Sequence, residues 1–340
     1  MGAFRNPAPS MVPHIVEMLR QRLGKLCIAT ILALMNLGSP ALATFPDRPV
    51  KLVVPLPPGG IADIIGRVMQ PHFERAFGKP FLIENRPGAS GIVGANAVVN
   101  APADGHTLLF VTTTYSINAA LRPTVGQIRK LEPVSILGLS SQLFLVNPTV
   151  KATTLKEFVA LAKAEPKKYF YATTGIASHA HLLFELWSSQ AGIQMQHVPY
   201  PGGPPAVMAT VNGEAHITLI SPAASLPQVE AGALRVLATG NIIREPELPN
   251  VPTSAEAGFP DFQARQWIGL LAPPGTPKPI IDQLNKGVQD ILARDDVKAV
   301  MSKQGLTASS ASPEDFAKII AQEIKMWTDI AQKAKIEVPD

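Results

Sequence analysis

The sequence predicts an α/β protein built on two open sheets, and three observations carry that expectation. Short β-branched or apolar runs alternate with segments of helical period through residues 44–340. Two apolar runs, Leu143–Val146 and 267–272, lie where the chain changes character and read as crossings between two domains, paired with one another. No internal repeat or low-complexity tract suggests a solenoid or a disordered chain. The expected organisation is a discontinuous first domain, 44–146 plus 267–340, around an inserted second one, 147–266.

Residues 1–43 are set aside as a secretory signal peptide. Arg20, Arg22 and Lys25 precede the apolar run 26–37, and Ala41-Leu42-Ala43 has the small-x-small pattern of a cleavage site after Ala43. A retained anchor is the alternative, although the run is short for a membrane span. Met11 and Met18 are alternative starts. Cleavage removes Cys27, the only cysteine, from inside the apolar run, which excludes disulfides and cysteine metal sites from the remaining chain. The chain holds 30 basic and 26 acidic residues, and four of the basic and one of the acidic lie before residue 44. The remainder is nearly neutral, with no basic patch for nucleic acid or a membrane surface.

The elements follow in order. Val50–Val54 is β-branched enough for a buried strand, and Ile61, Ile64, Ile65, Val68, Met69 and Phe73 then recur at helical spacing. Pro71 should kink or shorten that helix, and Gly78 should end it. A strand at 80–83 is followed by the loop 86–94 and a helix with Ala95, Val98 and Val99 inward. Asp104-Gly105 turns the chain into Thr107–Thr112, and Tyr115-Ser116-Ile117-Asn118 follows it. Strands at 134–139 and Leu143–Val146 close this part. Thr154 and Glu157 form a capping box, and strands at 169–172, 196–198, Ile217–Ile220 and 234–238 alternate with helices. A second box, Thr253 to Glu256, predicts another helix start, and three helices are expected at 277–293, 297–305 and 313–335.

The loop 55–63, Pro-Leu-Pro-Pro-Gly-Gly-Ile-Ala-Asp, joins the first strand to the first helix. Its glycines let backbone N–H groups approach a guest closely, and the helix start adds about half a positive charge. Such a turn holds an anion without a cationic side chain. The same pattern also serves as an ordinary strand-to-helix connection.

Three motifs in register point to a family: Val54-Pro55 through Pro58-Gly59-Gly60-Ile61-Ala62-Asp63 to Gly66-Arg67, Glu84-Asn85-Arg86-Pro87-Gly88-Ala89-Ser90-Gly91, and Pro102 through Asp104-Gly105-His106-Thr107. The chain resembles the tripartite tricarboxylate transporter receptors, or Bug family, from about Phe45 to Trp327. The resemblance implies a two-domain, type II-like periplasmic-binding-protein fold that hinges shut on a ligand in the interdomain cleft. It implies a monomeric periplasmic receptor that delivers a small carboxylate, whether a di- or tricarboxylate, an amino acid or an aromatic acid, to integral membrane permease subunits. A ligand-loaded partner of a histidine kinase is an alternative, and a carboxylic ester hydrolase is another.

In the second domain, Gly175, Ser178, His181, Leu182 and Glu185 match the family's second loop, with Ala177 where glycine is usual. Pro199-Tyr200-Pro201-Gly202-Gly203 resembles a third cleft segment with Pro201 in place of a common lysine, and His216 stands where aspartate is usual. The expected ligand-binding residues are Pro57, Gly59, Gly60, Ile61, Ala62, Asp63, Tyr115, Thr174, Gly175, Ser178 and Tyr200, with His181 bracing its loop through the backbone. Asp63 has two readings: it complements the first turn of its helix, or it faces the cleft. Leu56, Ile61, Tyr115, Ile176 and Tyr200 lean towards an aromatic or medium-length aliphatic ligand. Ser178, His181 and Asp63 are triad residue types, yet no Gly-x-Ser-x-Gly elbow accompanies them, and His179 and His181 lack the spacing of a zinc pair. No catalytic residue, metal or cofactor is expected.

Overall fold

The computed structural model describes Gly2, residues 45–334 and Ile336, with the side chains of residues 123–125 and 334 left aside. The expected signal peptide lies outside the described residues. The chain divides at Phe45, and the fold belongs to the unit Pro46–Asp340.

Within that unit β1 (Val50–Val54) leads into α1 (Ile61–Phe77), then β2 (Phe81–Asn85), α2 (Ile92–Val99), β3 (Thr107–Thr112) and α3 (Thr114–Leu121). The long β4 (Glu132–Ser141) is separated from β5 (Leu143–Val146) by Gln142 alone. There follow α4 (Leu155–Ala164), β6 (Phe170–Thr173), α5 (His179–Ala191), β7 (Gln196–Pro199), α6 (Gly203–Val211), β8 (Ile217–Ile220), α7 (Pro222–Glu230) and β9 (Arg235–Thr239). The chain closes with β10 (Arg265–Ala272), α8 (Lys278–Leu292), α9 (Asp295–Ser302), β11 (Leu306–Ala308) and α10 (Pro313–Ala334).

Two mixed sheets result. The first runs β11-β4-β10-β3-β1-β2, and the second runs β7-β6-β8-β5-β9. β1 is parallel to β2 and β3, whereas β10 is antiparallel to both β3 and β4. β5 is antiparallel to β8 and β9. The expected pairing of Leu143–Val146 with 267–272 is therefore corrected, and Leu143–Val146 joins the second sheet rather than the first. Both runs are buried throughout, so composition alone could not say which neighbour each would take.

The sheets meet at a three-way backbone crossing. The Gln142 amide donates to the Ala264 carbonyl at 2.8 Å, the Gly240 amide to the Gln142 carbonyl at 2.8 Å, and the Ala264 amide to the Gly240 carbonyl at 2.9 Å. A Cβ on Gly240 would stand 2.3 Å from that of Ala264, so only glycine permits this approach. Behind the crossing, α10 ties both cores together. Its Phe316 packs with Leu109, Val111 and Trp267, and its Trp327 packs into the cluster of Phe144, Phe184 and Trp187.

Three further expectations change. Pro71 does not shorten α1, which runs on to Phe77 and ends at left-handed Gly78. The carbonyl deprived of its amide partner belongs to exposed Arg67 on the solvent side, while Met69 and Phe73 anchor the buried face. Tyr115 to Asn118 form the first turns of α3 rather than the polar loop that the resemblance places there, because Tyr115 and Ala119 pack into one core cluster and Ile117, on the opposite face, into another. The Thr253 box makes both its bonds, Glu256 Oε2 taking the Thr253 amide at 2.8 Å and Thr253 Oγ1 taking the Glu256 amide at 3.1 Å, but no helix follows. Gly258, with φ +99°, breaks the chain after one turn. The Thr154 box, in contrast, does open α4.

Candidate functional site

Each sheet carries helices whose N-termini lie at the ends of its strands, and several of these starts converge on one cavity. α1 contributes Gly60 and Ile61, α3 contributes Thr114, α5 contributes Ser178 and His179, α6 contributes Gly203, and α7 contributes its cap Ser221. The chamber between them, its opening to solvent included, spans about 550 Å³. Neither the Ile61 amide nor the His179 amide has a hydrogen-bond partner among the described residues. Helix starts direct such orphan donors and a partial positive charge into the space they ring.

The chamber contains no Arg, Lys, Asp or Glu. Its one titratable side chain, His179, is pushed down to about 3 by complete burial and is neutral. The Gln142 amide nitrogen lies 3.1 Å from His179 Nδ1, and the imidazole stands edge-on to Trp327. The polar groups that line the chamber are backbone amides, hydroxyls and the side-chain amides of Gln142 and Gln266, a set of the kind that can meet an anion without a cationic side chain.

Two cavities adjoin this chamber. A mouth of about 840 Å³ shares Leu56, Ser90 and Thr174 with it and is edged by Pro57, Gly175 and Tyr200. An apolar annex of about 340 Å³ lies behind Leu56, between Ile92, Leu109 and Ile128.

The sequence-expected residues are thus distributed unevenly. Gly60, Ile61, Thr174 and Ser178 line the chamber, and Pro57, Gly175 and Tyr200 line the mouth. Tyr115 lines only the annex, and its hydroxyl donates to the Ile128 carbonyl at 2.6 Å. Gly59, Ala62 and Asp63 line none of the three. Gly59 has φ +79°, and a Cβ there would stand 3.2 Å from Pro204. Its role is to let the start of α6 approach.

Asp63 takes the first of its two readings and does not face the cleft. Its carboxylate accepts the Gly59 amide at 2.9 Å, Asn85 Nδ2 at 2.9 Å and Arg67 Nε at 3.0 Å. Burial raises its pKa, but the hydrogen bonds from Arg67, Gly59 and Asn85 outweigh burial and hold it below the usual range. Asp63 therefore shapes the anion loop from behind.

Ser178 caps α5 by accepting the His181 amide at 3.3 Å, and its own proton has no acceptor among the described residues. His181 Nδ1 accepts the Ala177 amide at 3.2 Å, and its ring stacks on His197 at 3.9 Å. Ala177, where glycine is usual in the resemblance, holds φ +58°. His216, just before β8, accepts the amide of Phe170 at the start of β6 at 3.0 Å. The Ser178 hydroxyl meets the His181 backbone amide and not its imidazole, which accepts the Ala177 amide, and Asp63 bonds to neither, so the triad residue types are not assembled into one.

Sequence reasoning missed Ser90, Gln142, His179, Ser221 and Gln266 as chamber residues. Gln142 and Gln266 had a readable signal, each being the last polar residue before an apolar crossing run. Ser90 and Ser221 had none, because their place depends on which loops the sheets bring together.

Comparison with known proteins agrees with this fold. The sequence profile of the tripartite tricarboxylate transporter family receptor matches residues 65–336. Protein BugT of Bordetella pertussis is 33% identical over 311 residues, covering 90% of this chain and 95% of BugT. Among solved structures, R. palustris Rpa4515 with adipate superposes with a TM-score of 0.83 at 32% identity, over 86% of this chain and 99% of its own. MatC (Rpa3494) from Rhodopseudomonas palustris with bound malate gives a TM-score of 0.78 at 30% identity, over 84% and 99%.

Proposed function

The chain belongs to the tripartite tricarboxylate transporter receptor family, and from that premise we propose that it captures a small aliphatic carboxylate and presents it to membrane permease subunits. The observation that carries this reading is the uncharged chamber ringed by helix N-termini from both sheets. A carboxylate is the anion such a site suits, because its two oxygens accept from amides and hydroxyls without requiring a cation. Related structures hold adipate and malate, both small aliphatic carboxylates.

In this reading the two sheets are the cores of two lobes hinged at Gln142, Gly240 and Ala264. The first lobe offers the Ile61 amide, and the second offers the His179 amide and the Ser178 hydroxyl. Ligand that touches both lobes favours the closed arrangement, whereas ligand touching one lobe shifts nothing. The receptor acts in the periplasm, and among the described residues no helix is long and apolar enough to cross a membrane.

A thermal-shift series with adipate, malate, citrate, benzoate and aspartate tests the assignment, since a ligand that binds only the native state raises the melting temperature. Adipate or malate is expected to give the largest shift. No shift with any carboxylate at millimolar concentration overturns the reading.

A further inference from the structure

The geometry points to Ser90 as a positioning residue that latches the two lobes across the mouth of the chamber. This inference rests on the receptor reading above. Ser90 lies in the loop between β2 and α2 on the first lobe, and it lines all three adjoining cavities. Its hydroxyl donates at 2.8 Å to the carbonyl of Ile176, in the loop between β6 and α5 on the second lobe. Its own carbonyl accepts Asn118 Nδ2 at 2.9 Å, which ties the latch to α3.

The backbone on both sides of this bond is strained in the same way. Of the four non-glycine residues with positive φ among the described residues, three flank it: Ala89 at +46°, Ser90 at +53° and Ala177 at +58°. Side chains in this region cost free energy and persist only where surrounding contacts over-determine them. Gly175 completes the fit, since a Cβ there would stand 3.0 Å from Ser90 Oγ. Pro57 against Gly202 is a neighbouring lobe-to-lobe contact, where a Cβ on Gly202 would lie 2.8 Å from the Pro57 ring. The Ser90 bond is the polar member of this closing surface, and it ends on the loop that carries Ser178 and the start of α5. Forming it sets the second-lobe loop in its ligand-binding shape at the moment the lobes meet.

The test uses the full chain with Cys27→Ser and spin labels on Ala76→Cys in α1 and Gln190→Cys in α5, both at exposed positions. Distance distributions are measured without ligand and with saturating adipate, for the parent and for Ser90→Ala and Ser90→Gly. Glycine relieves the positive φ while removing the hydroxyl, so it separates the bond from the strain and guards against misfolding of the alanine variant. Both variants are expected to shift the closed-to-open ratio about fivefold towards open, the equivalent of one neutral hydrogen bond. Unchanged distributions in both variants, with or without adipate, overturn the latch. If adipate binds neither parent nor variant, the ligand assignment fails, and the ligand-free distances still decide the latch.

Discussion

The amide of Ala177 donates to Nδ1 of His181 four residues later, and Ala177 holds φ +58° in the buried loop just before the chamber residue Ser178. The left-handed region costs an alanine about 1 kcal/mol relative to glycine, partly offset by the greater freedom of unfolded glycine. Ala177→Gly is therefore expected to raise stability by up to about 1 kcal/mol in urea denaturation. Destabilisation by the glycine would show that the alanine methyl, fully buried, contributes more packing than its backbone costs.

The buried histidines make stability depend on pH from the acid side. Burial lowers His179 to about 3 from an unfolded value of 6.5. Above pH 6.5 both states are neutral; below it the unfolded chain takes up a proton that the native state refuses. Stability is then lost as pH falls from 6.5 towards 3, at up to about 1.4 kcal/mol per pH unit for this residue. His181 and His197 are lowered as well and act in the same direction. Denaturation midpoints measured at pH 7, 6 and 5 are expected to fall, and His179→Gln is expected to flatten the slope.

Glu323 acts with the opposite sign. Burial raises its carboxyl to about 7, against the opposing hydrogen bond from Trp267 Nε1 at 2.8 Å. The native state holds this proton where the unfolded chain, at 4.5, has released it, so the contribution is complete below 4.5 and lost as pH rises through 7. Glu323→Gln keeps an acceptor for the indole and cannot ionise. It is expected to stabilise the protein by on the order of 2 kcal/mol at pH 8 and to change little at pH 4.5. Equal effects at both pH values would contradict the buried, protonated state.

Ser178 serves both stability and affinity, and the two are separable. Ser178→Ala removes the cap on the His181 amide and is expected to cost about 1 kcal/mol of stability. It also removes the hydroxyl proton facing the chamber, and adipate affinity measured by calorimetry is expected to weaken about fivefold or more. A stability loss with unchanged adipate affinity would confine Ser178 to capping.

Residue by residue, the sequence was most legible where the physics is local. The strand period of Val50–Val54, the glycines of 55–63 and the helical spacing after them specify a strand-to-helix turn without reference to anything distant. Ser178 as a cap and Gly78 as a stop are equally local, since each satisfies backbone groups within a few residues. The direction of Asp63 was not legible. Arg67 is one turn away, but Asn85 reaches Asp63 only because β1 and β2 pair in parallel with Val54 opposite Asn85.

By itself, then, the sequence determined that several helices begin at glycine, serine or proline turns just after strands, each start presenting donors to an anion. Only the tertiary structure decided which of those starts face one another. It moved β5 into the second sheet, brought Gln142, Gly240 and Ala264 into one crossing, and set Ser90 against Ile176. The physical reason is that strand pairing and lobe contact join residues far apart in sequence, through backbone groups that every residue carries alike.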